Sequence, residues 1–184
     1  MPDLVQGMDA RVDGYFEALR GNAVADRVFY TASALGDFGL LWVMLALFRS
    51  LRGRPNDDRA AARTLVAWVL ESVLVNVVVK SLFGRGRPVA EGLVHPYPFR
   101  QPLTSSFPSG HATAAFCSAM LLSDGDDLAP LYFALALVVA LSRIHVKIHH
   151  ASDVAAGIVV GTALGFLGRR LSPLPPVPRQ SPAD

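Results

Sequence analysis

Cysteine is nearly absent from this chain. Cys117 is the only one in 184 residues, so no intrachain disulfide can form, and its place inside an apolar run makes it a small core residue that says nothing about redox compartment. Surplus charge is missing too. The net charge is only +2, and the basic residues do not gather into runs interleaved with aromatics, which excludes a nucleic-acid surface. The first residues lack a basic start followed by an apolar stretch and carry Asp3, Asp9, Asp13 and Glu17 instead. No cleaved secretory signal is expected from that pattern.

What the chain has in abundance is apolar side chains. With 52% hydrophobic and 17% charged residues it is too apolar for a soluble chain of one-domain length, which predicts an integral membrane protein. Five apolar segments stand out, at about 28–48, 62–83, 109–122, 128–145 and 151–168. The first two and the last approach the roughly 20 residues of a spanning helix. The middle two are short and are joined by S-D-G-D-D at 123–127, a turn-forming string that suits a helical hairpin. Short helices imply that a site at their open ends is sunk below the bilayer surface.

The expected fold is therefore all-α, an integral membrane helical bundle of about five transmembrane helices preceded by an N-terminal amphipathic helix. That helix is read from Met8, Val12, Tyr15, Phe16 and Leu19, which recur at helical spacing. It suits either the membrane surface or ordinary packing against the bundle. The expected organisation is an interfacial segment over 1–27, a membrane-embedded unit over 28–171 and a mobile proline-rich tail over 172–184. Arg49, Arg52, Arg54, Arg59 and Arg63 between the first two segments, and Arg169, Arg170 and Arg179 after the last, place those regions inside. Five crossings then leave the N-terminus, 84–108 and 143–150 outside, although Arg11, Arg20 and Arg27 count against this orientation.

Three polar groupings fall on that outer side: K-S-L-F-G-R-G-R-P at 80–88, P-S-G-H at 108–111, and S-R-I-H-V-K-I-H-H-A-S-D at 142–153. Between His111 and Ser142 the chain crosses once and returns, so the last two groupings end at the same level. Each has an ordinary explanation when taken alone. Lys80 at a helix end can snorkel, Ser109 can cap a helix, His111 can be interfacial, and Arg143 can pair with Asp153. Three polar groupings at membrane depth on one face would together impose a desolvation cost without purpose. Lys80, Arg87 and Arg143 call for a multiply charged anion, and the arginine fork suits phosphate oxygens. Ser109 and Gly110 at a helix start add a hydroxyl and backbone N–H groups aimed at the same anion. His149 and Asp153 lie one helical turn apart, so the carboxylate can hold one ring nitrogen and leave the other free as a nucleophile. His111 is left as the proton donor.

These residues resemble the three-part signature of the type-2 phosphatidic acid phosphatase superfamily: lysine, six residues and Arg-Pro over 80–88, P-S-G-H over 108–111, and Ser-Arg, five residues, His, three residues, Asp over 142–153. The resemblance implies a metal-independent phosphatase without a cofactor, working through a phosphohistidine, with the bilayer and a lipid phosphate as its partners; the arginine placement turns its site outward from what is expected to be a bacterial cell membrane. It implies that His149 attacks phosphorus, that Asp153 orients it, and that His111 protonates the leaving oxygen and later deprotonates water. Lys80, Arg87, Arg143, Ser109 and the Gly110 amide would hold the non-bridging oxygens. Candidate substrates are an isoprenoid diphosphate or monophosphate, phosphatidylglycerol phosphate and phosphatidic acid. His145 and Lys147 depart from the aromatic and glycine found in many relatives.

Three other readings stand beside this one. The vanadium haloperoxidases share the anion-site constellation but are soluble and larger. His145, His149 and Asp153 at four-residue spacing suggest a metal site, which the charges of Arg143 and Lys147 oppose. Glu71, Asn76 and Asp37 within the apolar segments would suit a non-catalytic lipid-phosphate binder or transporter. Two structural expectations complete the reading. Gly157, Gly161 and Gly165 continue the His149–Asp153 face of the last helix as a close-packing stripe. The loop at 89–107, with Tyr97, Phe99 and Phe107, forms the headgroup rim.

Overall fold

The computed structural model describes residues 2–88 and 104–176. Among the described residues seven α-helices run in the order α1 (Pro2–Glu17), α2 (Ala23–Gly36), α3 (Leu40–Leu51), α4 (Asp57–Val73), α5 (Gly110–Leu122), α6 (Ala129–His145) and α7 (Ala151–Leu171). Three stretches are long and apolar enough to cross a membrane: Ala23–Leu51, Asp57–Leu82 and Ala151–Leu171. Helices α5 and α6 are the two shorter apolar helices. At 13 residues, α5 rises only about 20 Å, against a hydrocarbon core of about 30 Å. A group at its end therefore lies within the thickness of the bilayer.

The surface confirms the solvent. Leu40, Met44, Leu47, Phe48, Leu51, Val66, Val69, Leu70, Val73 and Val77 all point outward, as lipid-facing side chains do and as those of a water-soluble bundle do not. Inside, small residues dominate. Ala46, Ala61, Ala115, Ala119 and Ala136 surround Trp42, Leu122, Tyr132 and Val139. Lipid tails are as apolar as leucine, so contact distance and hydrogen bonds decide which helix faces meet.

The expected glycine stripe of α7 packs against α5. A Cβ on Gly157 would come within 2.6 Å of the Ser109 carbonyl oxygen, one on Gly161 would overlap the Thr113 backbone, and one on Gly165 would lie 2.6 Å from Met120 Cβ. Only hydrogen fits there, and the two helices that carry the P-S-G-H and His149–Asp153 elements approach backbone to backbone.

Two expected helices differ in detail. The apolar run 28–48 is broken at Asp37–Gly39, a short 3-10 turn in which Phe38 (φ 54°) and Gly39 (φ 67°) take left-handed conformations. The side chain of Trp68 fills the space where a Cβ on Gly39 would stand. The run at 62–83 begins earlier, at Asp57, and widens after Val73 into a π-helical stretch, Leu74–Val79, before tightening over Lys80–Leu82.

At the end of the bundle away from α1, arginines of the basic loop are consumed by ion pairs. Buried Arg49 donates to Asp57 at 2.9 Å and to the carbonyl oxygens of Leu122 and Asp124. Arg52 pairs with Asp126, which also accepts from the Tyr132 hydroxyl at 3.0 Å. The start of the expected tail is tied here as well, because Arg63 donates to the Ser172 carbonyl oxygen at 2.9 Å and Asn56 to that of Pro175 at 2.7 Å. The remainder of the tail, 177–184, lies outside the described residues, as do Tyr97 and Phe99 of the expected rim.

Candidate active site

The end of the bundle that carries α1 collects the break between α2 and α3, the last turn before Phe83, the start of α5, the end of α6 and the start of α7. Ser109 caps α5, its hydroxyl accepting from the Ala112 N–H at 3.4 Å, and its own N–H donates to the Asp153 carbonyl oxygen at 3.0 Å. The cap is thus locked to the helix that bears Asp153. Gly110 follows, and a Cβ there would crowd Asn76 Oδ1 at 2.8 Å and approach Lys80 Nζ at 3.5 Å. Buried Lys80 therefore stands beside the first residue of α5, at a helix N-terminus, which favours an anion.

His149 sits on the turn between α6 and α7, only 3% exposed. The turn is built by Lys147 in a left-handed conformation (φ 52°) and by the N–H groups of Ile148 and His149, which both donate to the Arg143 carbonyl oxygen at 3.1 Å. His149 Nδ1 faces Asp153 Oδ2 at 3.7 Å, and Nε2 faces Arg87 Nη1 at 3.5 Å. One ring nitrogen is turned to the carboxylate and the other to the cations, although 3.7 Å is longer than a hydrogen bond. Burial, with Arg143, Arg87 and Lys80 adding to it, pushes the His149 pKa down to about 3 against the opposing pull of Asp153. The ring is neutral at physiological pH, the form a nucleophile requires.

Asp153 is fully buried and its oxygens are heavily engaged. Oδ2 accepts from the His150 N–H at 2.9 Å and lies 3.3 Å from His150 Nδ1, in a reciprocal cap at the start of α7. Oδ1 accepts from Arg85 at 2.6 Å. Arg87 donates to the carbonyl oxygens of Ile148, Thr104 and Ser105 at 3.1, 3.1 and 3.3 Å. Arg143, 2% exposed, donates to the Ser33 hydroxyl and lies 3.8 Å from Asp37 Oδ1. His111 Nε2 lies 2.7 Å from that same Asp37 oxygen.

All eight residues singled out from the sequence, namely Lys80, Arg87, Ser109, Gly110, His111, Arg143, His149 and Asp153, therefore stand on elements that meet at this end. Sequence reasoning missed Arg85 and Asp9 and left Asp37 without a role. The signal for Arg85 lay in the alternation G-R-G-R-P. In an extended chain residues two apart point the same way, and Arg85 and Arg87 both reach the 148–153 turn. Asp37 was hidden because a broken helix reads as a continuous one when its flanks are apolar.

The two departures, His145 and Lys147, have a structural explanation. His145 Nε2 lies 2.7 Å from Asp26 Oδ1, and its ring packs among Phe16, Phe29 and Tyr30. Lys147 pairs with Asp13 and Glu17 of α1 at 3.5 and 3.3 Å. Arg20 donates to the carbonyl oxygens of His145 and Ile144. These contacts fasten α1 and α2 to the end of α6 and the turn before α7. Helix α1 packs against the bundle through buried Phe16, while Met8, Tyr15 and Leu19 remain exposed. With its ring committed to Asp26, His145 is drawn away from a three-ligand set with His149 and Asp153. Among the described residues no three His, Cys, Asp or Glu side chains gather where a metal ion would be held.

Comparison with known proteins fits this geometry. A family model described as the PAP2 superfamily matches residues 60–174. The decaprenylphosphoryl-5-phosphoribose phosphatase of Mycobacterium tuberculosis is 34% identical over 154 residues, spanning 79% of this chain and 82% of that protein. Among solved structures, a transmembrane PAP2-type phosphatidylglycerolphosphate phosphatase from Bacillus subtilis superposes with a TM-score of 0.71 at 23% identity, covering 91% of this chain and 86% of its own. Aquifex aeolicus LpxE superposes with a TM-score of 0.69 at 25% identity, covering 91% and 95%. The three-part signature, the membrane bundle that gathers it and the match over residues 60–174 make this chain a member of the PAP2 superfamily, a metal-independent lipid phosphatase of the membrane.

Proposed function

We propose that this phosphatase removes the terminal phosphate from an isoprenoid lipid with a phosphorylated sugar headgroup, working through a phosphohistidine on His149 at the outer face of the membrane. The observation that carries the mechanism is the orientation of the His149 ring, with Nδ1 toward Asp153 and Nε2 toward Arg87. The substrate class rests on the Mycobacterium tuberculosis decaprenylphosphoryl-5-phosphoribose phosphatase, whose similarity spans 79% of this chain.

The phosphate enters among Lys80, Arg87 and Arg143, with the Ser109 hydroxyl and the Gly110 N–H completing its cradle. The lone pair of His149 Nε2 attacks phosphorus, the ester P–O bond breaks, and the leaving oxygen takes a proton from His111. In the second step His111 removes a proton from water as the water oxygen attacks phosphorus. The P–N bond breaks, its electron pair returns to His149, and inorganic phosphate leaves. Fixed cations around a water-poor anion site supply most of the stabilisation, because phosphoryl transfer spreads negative charge over the oxygens they hold. Asp37 Oδ1 lies 2.7 Å from His111 Nε2 and 3.8 Å from Arg143, a carboxylate shared by these two groups.

The test is a panel assay with purified protein in detergent. Decaprenylphosphoryl-5-phosphoribose, phosphatidylglycerol phosphate, phosphatidic acid and an isoprenoid diphosphate are compared by kcat/KM. The expected result is a preference of at least about tenfold for the first. Faster hydrolysis of a glycerophospholipid would overturn the substrate assignment.

A further inference from the structure

Among the described residues, Lys80, Arg85, Arg87 and Arg143 stand around the start of α5 and the turn before α7, and the proposed phosphate cradle uses Lys80, Arg87 and Arg143. Arg85 lies outside that cradle. Its Nη1 donates to Asp153 Oδ1 at 2.6 Å and to the Ser152 hydroxyl at 2.7 Å, and its Nη2 donates to Asp9 Oδ2 at 2.7 Å. Asp9 in turn accepts from the Ser152 N–H and from the Ser152 hydroxyl, both at 2.8 Å. Both carboxylates are withdrawn from solvent, Asp153 at 0% and Asp9 at 6% exposure.

We infer that Arg85 and Asp9 are positioning residues for the nucleophile: α1 supplies, through this bridge, the outer support that fixes the Asp153 carboxylate behind His149. The inference rests on the proposed role of His149. Three observations carry it. First, Asp153 Oδ2 accepts from the His150 N–H and faces His149 Nδ1 at 3.7 Å, and Arg85 holds the other oxygen, Oδ1, at 2.6 Å, so the carboxylate is fixed from both sides and Arg85 supplies the outer one. Second, two buried carboxylates from separate helices converge on one guanidinium. Without that cation they would repel one another in a poorly solvated place, where an unpaired charge is strongly unfavourable. Third, Asp9 fixes the Ser152 N–H in the first turn of α7, one residue before Asp153, so backbone and side chain are restrained from the same point.

A positioning role differs from phosphate binding and from simple stabilisation in what it changes. Arg85 spends its donors on protein carboxylates and a hydroxyl, so its removal should leave anion affinity intact and lower the rate of attack. Misplacement of a reacting group by about 1 Å can cost on the order of 100-fold.

The experiment uses the full chain in detergent and compares Arg85→Gln, Arg85→Lys, Asp9→Asn, the double variant Arg85→Gln/Asp9→Asn, and Glu17→Gln as a control that loosens α1 elsewhere. Steady-state kinetics are read on decaprenylphosphoryl-5-phosphoribose and on dioctanoylphosphatidic acid. Orthovanadate inhibition and backbone hydrogen exchange over 148–156 are read on the same samples. The expected result is a kcat lowered about 10- to 100-fold in Arg85→Gln, with KM and orthovanadate inhibition little changed and faster exchange over 148–156. Arg85→Lys should recover part of kcat, the double variant should be no worse than the poorer single one, and Glu17→Gln should turn over like the wild type. A raised KM with weakened orthovanadate inhibition would make Arg85 a phosphate ligand and overturn the inference. Unchanged kcat and exchange would overturn it as well, and so would an equal loss of kcat in Glu17→Gln. If the wild type hydrolyses neither lipid, the functional reading is what fails, and hydrogen exchange still decides whether Asp9 and Arg85 hold the turn.

Discussion

The Ser109 N–H donates to the Asp153 carbonyl oxygen at 3.0 Å. That bond joins the first residue of one histidine-bearing element to the backbone of the other, and it exists because α5 and α7 touch through glycine. Replacing Gly161 with Leu would drive a side chain into the Thr113 backbone. A loss of at least about 1–3 kcal/mol is expected from overpacking, read as a lower melting temperature and a smaller folded yield in detergent. Normal stability and activity in Gly161→Leu would refute the close-packed stripe.

The clamp between α2 and the catalytic turn predicts a stability effect without a catalytic one. His145→Phe keeps the aromatic packing with Phe16, Phe29 and Tyr30 but removes the partner of Asp26 Oδ1. Thermal unfolding should show a loss of about 1–3 kcal/mol, while kcat of the folded fraction stays near the wild-type value. A variant as stable as the wild type would show that this bond contributes nothing.

Burial of His149 has a pH signature. Its pKa is lowered to about 3 in the folded protein by burial first and then by Arg143, Arg87 and Lys80, whereas an unfolded histidine titrates near about 6.5. Below that value the unfolded chain binds a proton that the folded site does not, so stability falls as the pH drops from about 6.5 toward about 3, by up to about 1.4 kcal/mol per pH unit. Melting temperatures between about pH 7.5 and about pH 5 should fall more steeply for the wild type than for His149→Gln. Parallel curves would contradict a neutral, buried His149.

Much of this protein is legible in its sequence because lipid imposes simple rules. Apolar length gave the spans, the glycine period gave the face that α7 presents to α5, and the fixed spacing of Lys80, Arg87, Ser109, His111, Arg143, His149 and Asp153 announced polar groupings that the fold gathers at one end of the bundle. What stayed hidden depends on contacts between residues far apart in the chain. At the helix break over Asp37–Gly39 the Trp68 ring fills the space where a Cβ on Gly39 would stand, a contact between residues far apart in the chain. Asp9 and Arg85 looked like an exposed helix charge and a loop cation, and only the docking of α1 brings them to Asp153. His145 and Lys147 read as departures in a motif because their partners, Asp26, Asp13 and Glu17, belong to a region the motif does not cover.

Orientation is tested by labelling. In a Cys117→Ser background, a cysteine introduced at Glu91 should react with a membrane-impermeant maleimide added to intact cells. Reaction only after permeabilisation would turn the site to the inner leaflet.

The most direct test of the account is to trap the phosphoenzyme. Wild-type protein quenched during turnover of a ³²P-labelled lipid phosphate should carry an acid-labile, base-stable label on His149, and chelators should leave both label and turnover unchanged. His149→Ala should show neither label nor turnover, and His111→Ala should keep some label with a substrate whose leaving group needs no protonation. Turnover without label, abolished by a chelator and restored by added zinc, would contradict the phosphohistidine mechanism.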